Sequence, residues 1–536
     1  MKRVLATALA LVLALGLFAG IGTAESAEPT TIKVLGFERK IADGVSFAER
    51  ETQKTWQEIN KIFADNGLAF EFEIIADQDQ YRTTIQTRLA SNYDLPDVCY
   101  VGTMTETDVL DMAQTGIILP MNQVLETTKG AAYDFFYGGE GDVARKMLTD
   151  ANGNFYWLPR IQINLLNGEQ SGTSMGVCIR LDWLKKLGLP VPKSLDEFTG
   201  ALRAFQENDM NGNGIKDEVA VLDTSLFSAS GIGYWFGMVS DYVAVNVTDG
   251  VVESPWYSPV AKEYFAYVQS LVSEGLLYAD KIGSDTNTDQ VQNENKVSAL
   301  YYYPVGTYVE IPIRAAGYPD AYYIGIEPFD AVEGTQAYYS EETPYLQYMK
   351  YAVTSAGADK LDAIAKMYDC IYSPEMLNLI DWGIEGVNYE VRDGMNHRLG
   401  IDVGFAEKFA NGTLEFDPYA RFFFPSFRHN ERLDEIEGTR KEWPEKADFE
   451  MATADYPKKT PNDNLSYYAL ATAEEAETLA EYTTDLSTYS RELAANLSLG
   501  RQSLDDWDSY IEELKNLGLD EVIAVRQAQL DRRNGK

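Results

Sequence analysis

The segment DMNGNGIKDE, residues 209–218, spaces its oxygen-bearing side chains as a loop for a hard cation does. Those side chains belong to Asp209, Asn211, Asn213, Asp217 and Glu218. Calcium takes about six to eight oxygens from a sharply turning backbone, in which alternate residues point inward. The spacing follows an EF-hand loop through its ninth position and departs at the twelfth, where Ala220 replaces the bidentate glutamate. The pattern therefore predicts a calcium loop, and a metal-free Asx turn is the alternative.

The composition indicates an ordered globular protein with more than one domain. The chain has 536 residues, 45% of them hydrophobic and 24% charged, which predicts two or three domains. Its formal net charge of −38 argues against nucleic acid and anionic membrane surfaces as partners, because both attract basic patches. The many tyrosines, phenylalanines and tryptophans could serve a core or line a binding site.

The N-terminus has the pattern of a secretory signal peptide. Lys2 and Arg3 precede an apolar run from Val4 to Gly22, and small residues stand before a cleavage point after Ala24. Loss of residues 1–24 changes the charge to −38 − 2 = −40. An uncleaved membrane anchor is the alternative, because the run is just long enough to span a bilayer. We expect an extracytoplasmic protein, periplasmic or at the cell surface, without a lipid-attachment cysteine at the junction.

Motifs for catalysis find little support. Gly172–Gly176 reads G-x-S-x-G, but a hydrolase nucleophile elbow needs a strand before the serine, and here a polar segment precedes it. Two separated histidines and three isolated cysteines make no zinc cluster, and the sequence has no Walker loop. The cysteines are expected to be buried and free; they are Cys99, Cys178 and Cys370.

Two alternating strand–helix regions predict an α/β protein. Strands at 32–37, 70–74 and 98–101 alternate with helices carrying Trp56, Ile59 and Phe63, and then Tyr81, Ile85 and Leu89. This order predicts parallel pairing through crossover helices. The pattern repeats with a strand at 175–179, helices at 181–187 and after the Ser194–Glu197 capping box, a strand at 295–303 and a helix at 361–372. Two lobes without a flexible tether suggest that the chain crosses between them more than once.

Several segments resemble the extracellular solute-binding proteins of family 1, the sugar-binding components of ABC importers, and more narrowly the large Firmicutes-type and alginate-binding-type members. The resemblance covers nearly the whole mature chain. The segments are DLPDV at 94–98, NGNFYWLP at 152–159, IRLDWLKKLGLPVPKSLDEFTGALRAFQENDMNGNGIKDE at 179–218, WGIEGVNYEVRDG at 382–394 and the tail DDWDSYIEELKNLGLDEV.

The resemblance implies a two-lobed periplasmic-binding-protein-like clamp of type II, with a mixed β-sheet flanked by helices in each lobe. It places residues 32–161 and 300–350 in the N-terminal lobe, and 162–299 and 351–536 in the C-terminal lobe. It implies a structural Ca²⁺ held by the five side chains of the loop and the backbone carbonyl of Ile215. It also implies a membrane permease as partner and a chain that works as a monomer. Many relatives carry a lipid-modified cysteine that this chain lacks.

We expect an oligosaccharide to bind in the cleft, because sugar sites pair stacking aromatic rings with polar groups that satisfy the hydroxyls. Candidate contacts lie where strands approach the cleft: Glu38, Arg39, Thr103, Trp157, Arg160, Tyr234, Trp235, Tyr303, Trp382 and Glu385. Trp183 and Trp507 are read as core residues. The hypothesis is binding without chemistry. A secreted glycosidase needs only two carboxylates and is the alternative, as is a binding protein for another ligand such as a peptide.

Overall fold

The structure of the protein is a computed structural model. It describes residues 28–37, 50, 53–166, 169–170, 176–222, 231–238, 246–248, 250–282, 291, 294–302, 310, 313–314, 316–341, 345–392, 395–399, 424–431, 433–441, 443–459 and 468–536. All of the expected signal peptide lies outside these residues, and so does the Gly172–Gly176 motif except for Gly176 itself. Among the described helices, none has the length and apolar character needed to cross a membrane.

The strands alternate with helices along the chain, as predicted. In chain order the strands are β1 (Thr30–Phe37), β2 (Leu68–Ile75), β3 (Val98–Tyr100), β4 (Leu158–Leu166), β5 (Glu169–Gln170), β6 (Gly176–Arg180), β7 (Val219–Leu222), β8 (Asn246–Thr248), β9 (Val251–Glu253), β10 (Val297–Tyr302), β11 (Tyr323–Gly325), β12 (Ser340–Glu341), β13 (Tyr345–Val353), β14 (Tyr389–Arg392), β15 (Met395–Arg398), β16 (Phe427–Glu431) and β17 (Lys458–Lys459).

The helices follow the apolar periodicity of the sequence. They are α1 (Lys54–Asp65), α2 (Gln78–Ser91), α3 (Glu106–Gln114), α4 (Met121–Thr128), α5 (Ala131–Gly138), α6 (Asp142–Leu148), α7 (Leu181–Leu187), α8 (Leu195–Gln206), α9 (Ala261–Ser273), α10 (Leu361–Ile371), α11 (Pro374–Trp382), α12 (Leu433–Arg440), α13 (Pro444–Ala452), α14 (Ala473–Ser498), α15 (Trp507–Asn516) and α16 (Leu519–Arg533). Short 3-10 turns include Ile232–Phe236 and Pro255–Tyr257.

The first lobe is built on a sheet with the strand order β16-β4-β13-β3-β1-β2, and β5 pairs with β4. Strands β1, β2, β3, β4 and β16 run parallel, whereas β13 runs antiparallel to both of its neighbours. The predicted apolar face of α1 is buried through Trp56, Ile59 and Phe63. These side chains join one hydrophobic cluster with the sheet and with α10. The predicted crossover pattern of the first lobe is therefore confirmed.

The second lobe contains a smaller sheet with the order β11-β6-β10-β7. Strand β6 is antiparallel to β10 and β11, and β7 is parallel to β10. Helix α8 begins at the predicted cap, where Ser194 Oγ accepts a hydrogen bond from Glu197 N at 3.2 Å. Its buried residues Phe198, Leu202 and Phe205 belong to a second hydrophobic cluster that also takes in α9, α14 and the C-terminal helices. Two clusters on two sheets confirm the predicted two-lobed α/β class.

Three strands, β4, β13 and β16, carry the chain between the lobes. Leu158, at the start of β4, lies in the first hydrophobic cluster, whereas Leu166 at its end packs with Ile436 and Ala447. Strand β13 returns the chain, because β12 before it pairs with β17 while Tyr351 of β13 lies opposite Tyr100 of β3. Strand β16 then pairs in parallel with β4 and leads into α12 and α13. We call β4, β13 and β16 the crossing strands.

Helix α13 is joined to the second lobe by contacts that include a buried ion pair. Lys446 Nζ lies 2.5 Å from Glu310 Oε1, and both side chains are fully buried. Arg314 Nη2 lies 2.8 Å from the other oxygen of Glu310. Burial lowers the pKa of Lys446, and Glu310 acts in the opposite direction. A buried charge is tolerated only when it is paired in this way, so the contact fixes the helix in one position.

The packing divides the chain differently from the predicted bounds. Tyr323 and Ile324, expected in the N-terminal lobe, pair with β6 of the second sheet. Ile364 and Tyr368, expected in the C-terminal lobe, are buried in the first cluster. The reason is the third crossing at β16, which keeps α10 and α11 in the first lobe. We therefore propose a corrected division of the described residues, with those of 28–166 and 345–431 in the first lobe and those of 169–341 and 433–536 in the second.

The contact between β11 and α13 predicts that even one added methyl group destabilises the second lobe. A Cβ atom on Gly325 would lie 2.2 Å from Cε1 of Phe449. We expect Gly325→Ala to cost about 1–3 kcal/mol through overpacking and to lower the midpoint of thermal unfolding. The matched control is Gly200→Ala in α8, where no heavy atom lies within 4 Å of an added Cβ. The control should be neutral or more stable by about 0.5–1 kcal/mol. An unchanged midpoint for Gly325→Ala would contradict this packing.

Candidate functional site

Aromatic side chains line the edge of the first sheet where β1 and β3 end. Phe37 stacks on Tyr100 with ring centroids 6.1 Å apart, and Tyr100 lies 5.6 Å from Tyr351 of β13. The hydroxyl of Tyr81 donates a hydrogen bond to the carbonyl oxygen of Tyr100 at 2.6 Å, which fixes the end of β3. Ligands of open α/β sheets bind outside the carboxyl ends of the strands, so this edge is the candidate wall of a cleft. The predicted contacts Glu38 and Arg39 follow Phe37 and lie outside the described residues.

Lys350 lies beside the predicted ligand contact Trp157, whose side chain is only 1% exposed, and its backbone is bonded close in sequence to another, Thr103. The carbonyl oxygen of Lys350 accepts a hydrogen bond from Val101 N at 2.7 Å, two residues before Thr103. The ammonium of Lys350 lies 5.4 Å from the ring centroid of Trp157 and 3.4 Å from Glu106 Oε1. Among the described residues, neither Thr103 Oγ1 nor Trp157 Nε1 has a hydrogen-bond partner, although both atoms are buried. The structure therefore gathers donors and acceptors around one lysine at this edge.

A β-bulge explains the position of Lys350. From Gln347 to Tyr351 strand β13 advances four residues, whereas β4 advances only two, from Arg160 to Leu158. Such bulges redirect side chains and occur next to functional sites. Sequence analysis missed both Lys350 and Glu106, because neither the register of β13 nor its bulge can be read from the strand itself.

The other predicted contacts of the first lobe are placed less favourably. Arg160 is almost fully buried within β4, opposite Gln347 of β13. Trp382 ends α11 and is half-buried, with its ring 6.0 Å from that of Tyr389. Glu385 is exposed on the turn before the hairpin formed by β14 and β15. Tyr303 lies outside the described residues. The contact of these residues with a ligand stays a prediction.

Tyr234 and Trp235 are buried in the second lobe. Trp235 lies 4.4 Å from Phe329 and 5.1 Å from Phe198, measured between ring centroids. Tyr234 and Trp235 are only 3% and 2% exposed. Glycines flank these rings in the sequence, but they do not indicate whether a ring points to a cleft or to the core. In this conformation both rings serve the core, and their contact with a ligand stays a prediction.

The loop at 209–218 joins α8 to β7 and folds around its own oxygens. The carboxylate of Asp209 accepts hydrogen bonds from the backbone N–H groups of Gly212, Asn213 and Gly214, at 2.7, 3.1 and 2.8 Å. Gly212 and Gly214 have φ angles of 78° and 87°, which favour glycine and allow the sharp turn. Asn213 Oδ1 accepts a hydrogen bond from Ile215 N at 2.8 Å. The predicted turn geometry is therefore present.

Glu218 brings a partly unsatisfied carboxylate into this loop. Its Oε1 accepts hydrogen bonds from Met210 N at 2.5 Å and Asn211 N at 3.1 Å, whereas its buried Oε2 has no partner among the described residues. Such an oxygen is costly unless it meets a donor or a cation. The donor chemistry thus fits calcium. The carboxylates do not converge, however, and no group of three or more His, Cys, Asp or Glu that could hold a metal is found in the described part of the chain.

Lysines at the border of the loop offset part of its negative charge. Lys296 Nζ lies 3.0 Å from Asp217 Oδ2, and Lys186 Nζ donates to the carbonyl oxygens of Asp209 and Met210, each at 3.1 Å. Burial acts to raise the pKa of Asp217, but the hydrogen bonds from Lys296 and Asn213 outweigh it, so the pKa lies below the usual value. Asp217 is therefore a carboxylate at neutral pH, as a cation ligand must be.

Comparison with known proteins gives one relative that matches most of the chain. The fructooligosaccharide ABC transporter substrate-binding protein FusA of Streptococcus pneumoniae is 24% identical over 462 residues, which cover 82% of this chain and 81% of FusA. No protein-family model matches the chain. FusA is a transporter component and not an enzyme, in agreement with the hypothesis of binding without chemistry.

Solved structures share the fold at low sequence identity. A solute-binding protein from Bifidobacterium longum infantis that binds human milk oligosaccharides (HMO) gives a TM-score of 0.71 at 20% identity, over 94% of this chain and 99% of that chain. The alginate-binding protein AlgQ2, solved without calcium ion, gives 0.68 at 19% identity with the same coverage. FusA in complex with kestose gives 0.68 at 20% identity, over 94% and 100%, and FusA has also been solved as an EF-hand mutant. The fold is that of the two-lobed solute-binding proteins, and the resemblance predicted from the sequence is confirmed.

Proposed function

We propose that this protein is an extracytoplasmic binding protein that captures an oligosaccharide between its lobes for an ABC importer. The observation that carries the proposal is the position of Lys350 and its partner Glu106, backed by the buried ring of Trp157, at the edge of the first sheet where the crossing strands leave the lobe. The similarity to FusA over most of both chains supports the same function. An N-terminal signal segment over residues 1–24 and a membrane permease as partner belong to this proposal, as does a monomeric state.

The chemistry of the cleft wall favours a sugar over a peptide. Lys350 offers a donor, Glu106 an acceptor and the partly buried ring of Phe37 an apolar face, and a sugar presents hydroxyls and apolar faces to match them. Trp157 is only 1% exposed and packs behind Lys350. The ion pair of Lys350 and Glu106 is locally neutral, so it suits a neutral oligosaccharide better than a polyanion. The fructooligosaccharide and human-milk-oligosaccharide proteins among the similar proteins support this class of ligand.

Ligand capture then requires no reacting group. A sugar that contacts both lobes raises the population of the closed arrangement. The size of this effect depends on the contacts that the sugar makes only when the lobes are closed. Each crossing strand lies between the lobes, so a change of their backbone angles moves one lobe against the other. Among the remaining predicted contacts of the first lobe, Trp382 and Glu385 are accessible to a ligand, whereas Arg160 is almost fully buried.

We also propose that the loop at 209–218 binds a structural calcium ion. The unsatisfied Oε2 of Glu218 and the ionised Asp217 supply two carboxylates, and Asp209 supplies a third. Asn211, Asn213 and the carbonyl of Ile215 complete the oxygen set. When bound, calcium neutralises carboxylates that otherwise repel one another and ties the end of α8 to the start of β7. The structures of AlgQ2 without calcium ion and of an EF-hand mutant of FusA support this proposal.

The proposed function predicts stabilisation by one class of oligosaccharide without any change in the sugar. In a thermal unfolding panel of kestose, lacto-N-tetraose, maltotriose and trigalacturonate, one neutral class should raise the midpoint. At 100 times its dissociation constant it should add about 2.7 kcal/mol to the stability of the folded state. Chromatography of the sugar afterwards should recover it intact. Shortened sugar would replace the proposal with a glycosidase, and the absence of any shift would contradict an oligosaccharide ligand.

A pair of lysine variants connects this stabilisation to the cleft. Lys350→Met keeps the aliphatic stem but removes the donor, so it should weaken binding of the stabilising sugar by roughly 10-fold or more, the value of a charged hydrogen bond. Lys366→Met, on the exposed surface of α10 in the same lobe, is the matched control and should bind as the parent does. Equal affinities for the two variants would show that the sugar binds elsewhere.

The calcium proposal predicts a metal-dependent midpoint that depends on Glu218. Calcium at 100 times its dissociation constant should stabilise the parent chain by about 2.7 kcal/mol relative to a chelator. Glu218→Gln should lose this rise, because an amide cannot provide a carboxylate ligand. Glu207→Gln, an exposed residue at the end of α8, should keep it. A parent chain that is indifferent to calcium, or a Glu218→Gln chain that responds fully, would contradict the site.

A further inference from the structure

A groove on the helical side of the second lobe has no role in the proposed cleft. It lies between the 3-10 turn Pro255–Tyr257, the start of α9 and one face of α15, and is open to solvent. Its lining residues belong neither to a sheet nor to a crossing strand. We call it the α9–α15 groove.

Aromatic side chains form a fixed floor for this groove. Trp256 stacks on Phe265 with centroids 5.6 Å apart and planes inclined by 19°, and Trp507 lies 5.8 Å from Trp256. Trp507 was read from the sequence as a core residue, but its side chain is only partly buried. Tyr257 is 37% exposed, and its hydroxyl donates a hydrogen bond to Asp520 Oδ1 at 2.6 Å. Two aromatic rings are therefore accessible at the surface and held in position.

Four charged side chains form the rim of the groove, namely Lys262, Asp508, Glu512 and Lys515. The last three lie on one face of α15 because they are spaced by four and three residues. Lys515 Nζ lies 5.5 Å from the ring centroid of Tyr257. In the described part of the chain, none of the four forms a salt bridge within 4.0 Å. Their donors and acceptors therefore remain available to a ligand.

We propose that the α9–α15 groove is a second carbohydrate site, which takes a neutral saccharide on the outer face of the second lobe. Rings that offer an apolar face, bordered by both donors and acceptors, match the alternating apolar faces and hydroxyls of a sugar. The two lysines balance the two carboxylates, so the groove is locally neutral on a chain with a net charge of −38. A neutral sugar meets no net charge there, whereas an anionic ligand approaches a strongly negative protein. The site is independent of the cleft and of its function.

The test separates the groove from the cleft by using a chain whose cleft is weakened. Saturation-transfer NMR with maltotriose, kestose and lactose is recorded on Lys350→Met and on the same chain with Lys262→Met and Glu512→Met added, which removes one donor and one acceptor. The two rim residues are not in salt bridges, so the substitutions leave the fold intact. We expect at least one probe to bind the Lys350→Met chain. The chain with the rim substitutions should bind the same probe roughly 4- to 100-fold more weakly, because each of the two lost hydrogen bonds weakens binding about two- to tenfold.

The matched control is Glu513→Met in the Lys350→Met chain, because Glu513 is exposed on α15 but does not line the groove. It should bind the probes as Lys350→Met does. The proposal is overturned if none of the three probes binds Lys350→Met, or if the rim substitutions leave binding unchanged. It is also overturned if sedimentation shows that the parent chain dimerises and that the rim substitutions abolish the dimer, since a second copy would then occupy the groove. If only the cleft proposal is wrong, the parent chain and the Lys350→Met chain should bind the probes equally.

Discussion

The hydrogen-bonded pairing of the crossing strands is the constraint on which the arrangement of both lobes depends. Strand β4 pairs with β13 on one side and with β16 on the other, and the three share one sheet with β1, β2 and β3. Each strand therefore belongs to the first lobe at one end and leads to the second lobe at the other. A pair of strands can bend or twist with modest changes in backbone angles, whereas the two buried clusters resist deformation. Motion is thereby directed to the region between the lobes, where a ligand would lie.

The same strands bring the proposed site together. The bulge in β13 turns Lys350 toward Trp157, and the backbone of Lys350 receives the hydrogen bond of Val101 at the end of β3. The main chain of Lys350 is therefore bonded to one strand while its side chain lies against another. Because the lysine is held on both sides, its ammonium can bind a ligand at little further cost in conformational entropy. The loop at 209–218 lies elsewhere, at the join of α8 and β7, so the proposed calcium ion would stabilise the second lobe without contacting the cleft.

The sequence could predict features whose cause is local. The oxygen spacing of residues 209–218, the cap at Ser194 and the apolar face of α1 each follow from neighbouring residues, and each is present in the structure. The third crossing could not be predicted, because Phe427–Glu431 is short and mostly polar and is recognised as a strand only through its pairing with β4. The orientation of Trp235 and the bulge before Tyr351 also depend on distant partners. Sequence therefore predicted the fold class, whereas the predicted ligand contacts stay predictions because their orientation depends on residues distant in the chain.

The central claim is that ligand bound at the crossing strands draws the two lobes together, and a distance measured between the lobes tests it most directly. Tyr93→Cys in the first lobe and Glu492→Cys in the second place spin labels at exposed positions, while the native Cys99, Cys178 and Cys370 are buried. Burial raises the pKa of Cys99 to about 12 and that of Cys370 to about 11, so neither forms the reactive thiolate at neutral pH. Pulsed electron–electron double resonance should give a different and narrower distribution of distances between the two labels when the stabilising oligosaccharide saturates the protein. An identical distribution with and without that sugar would contradict a clamp that closes on its ligand.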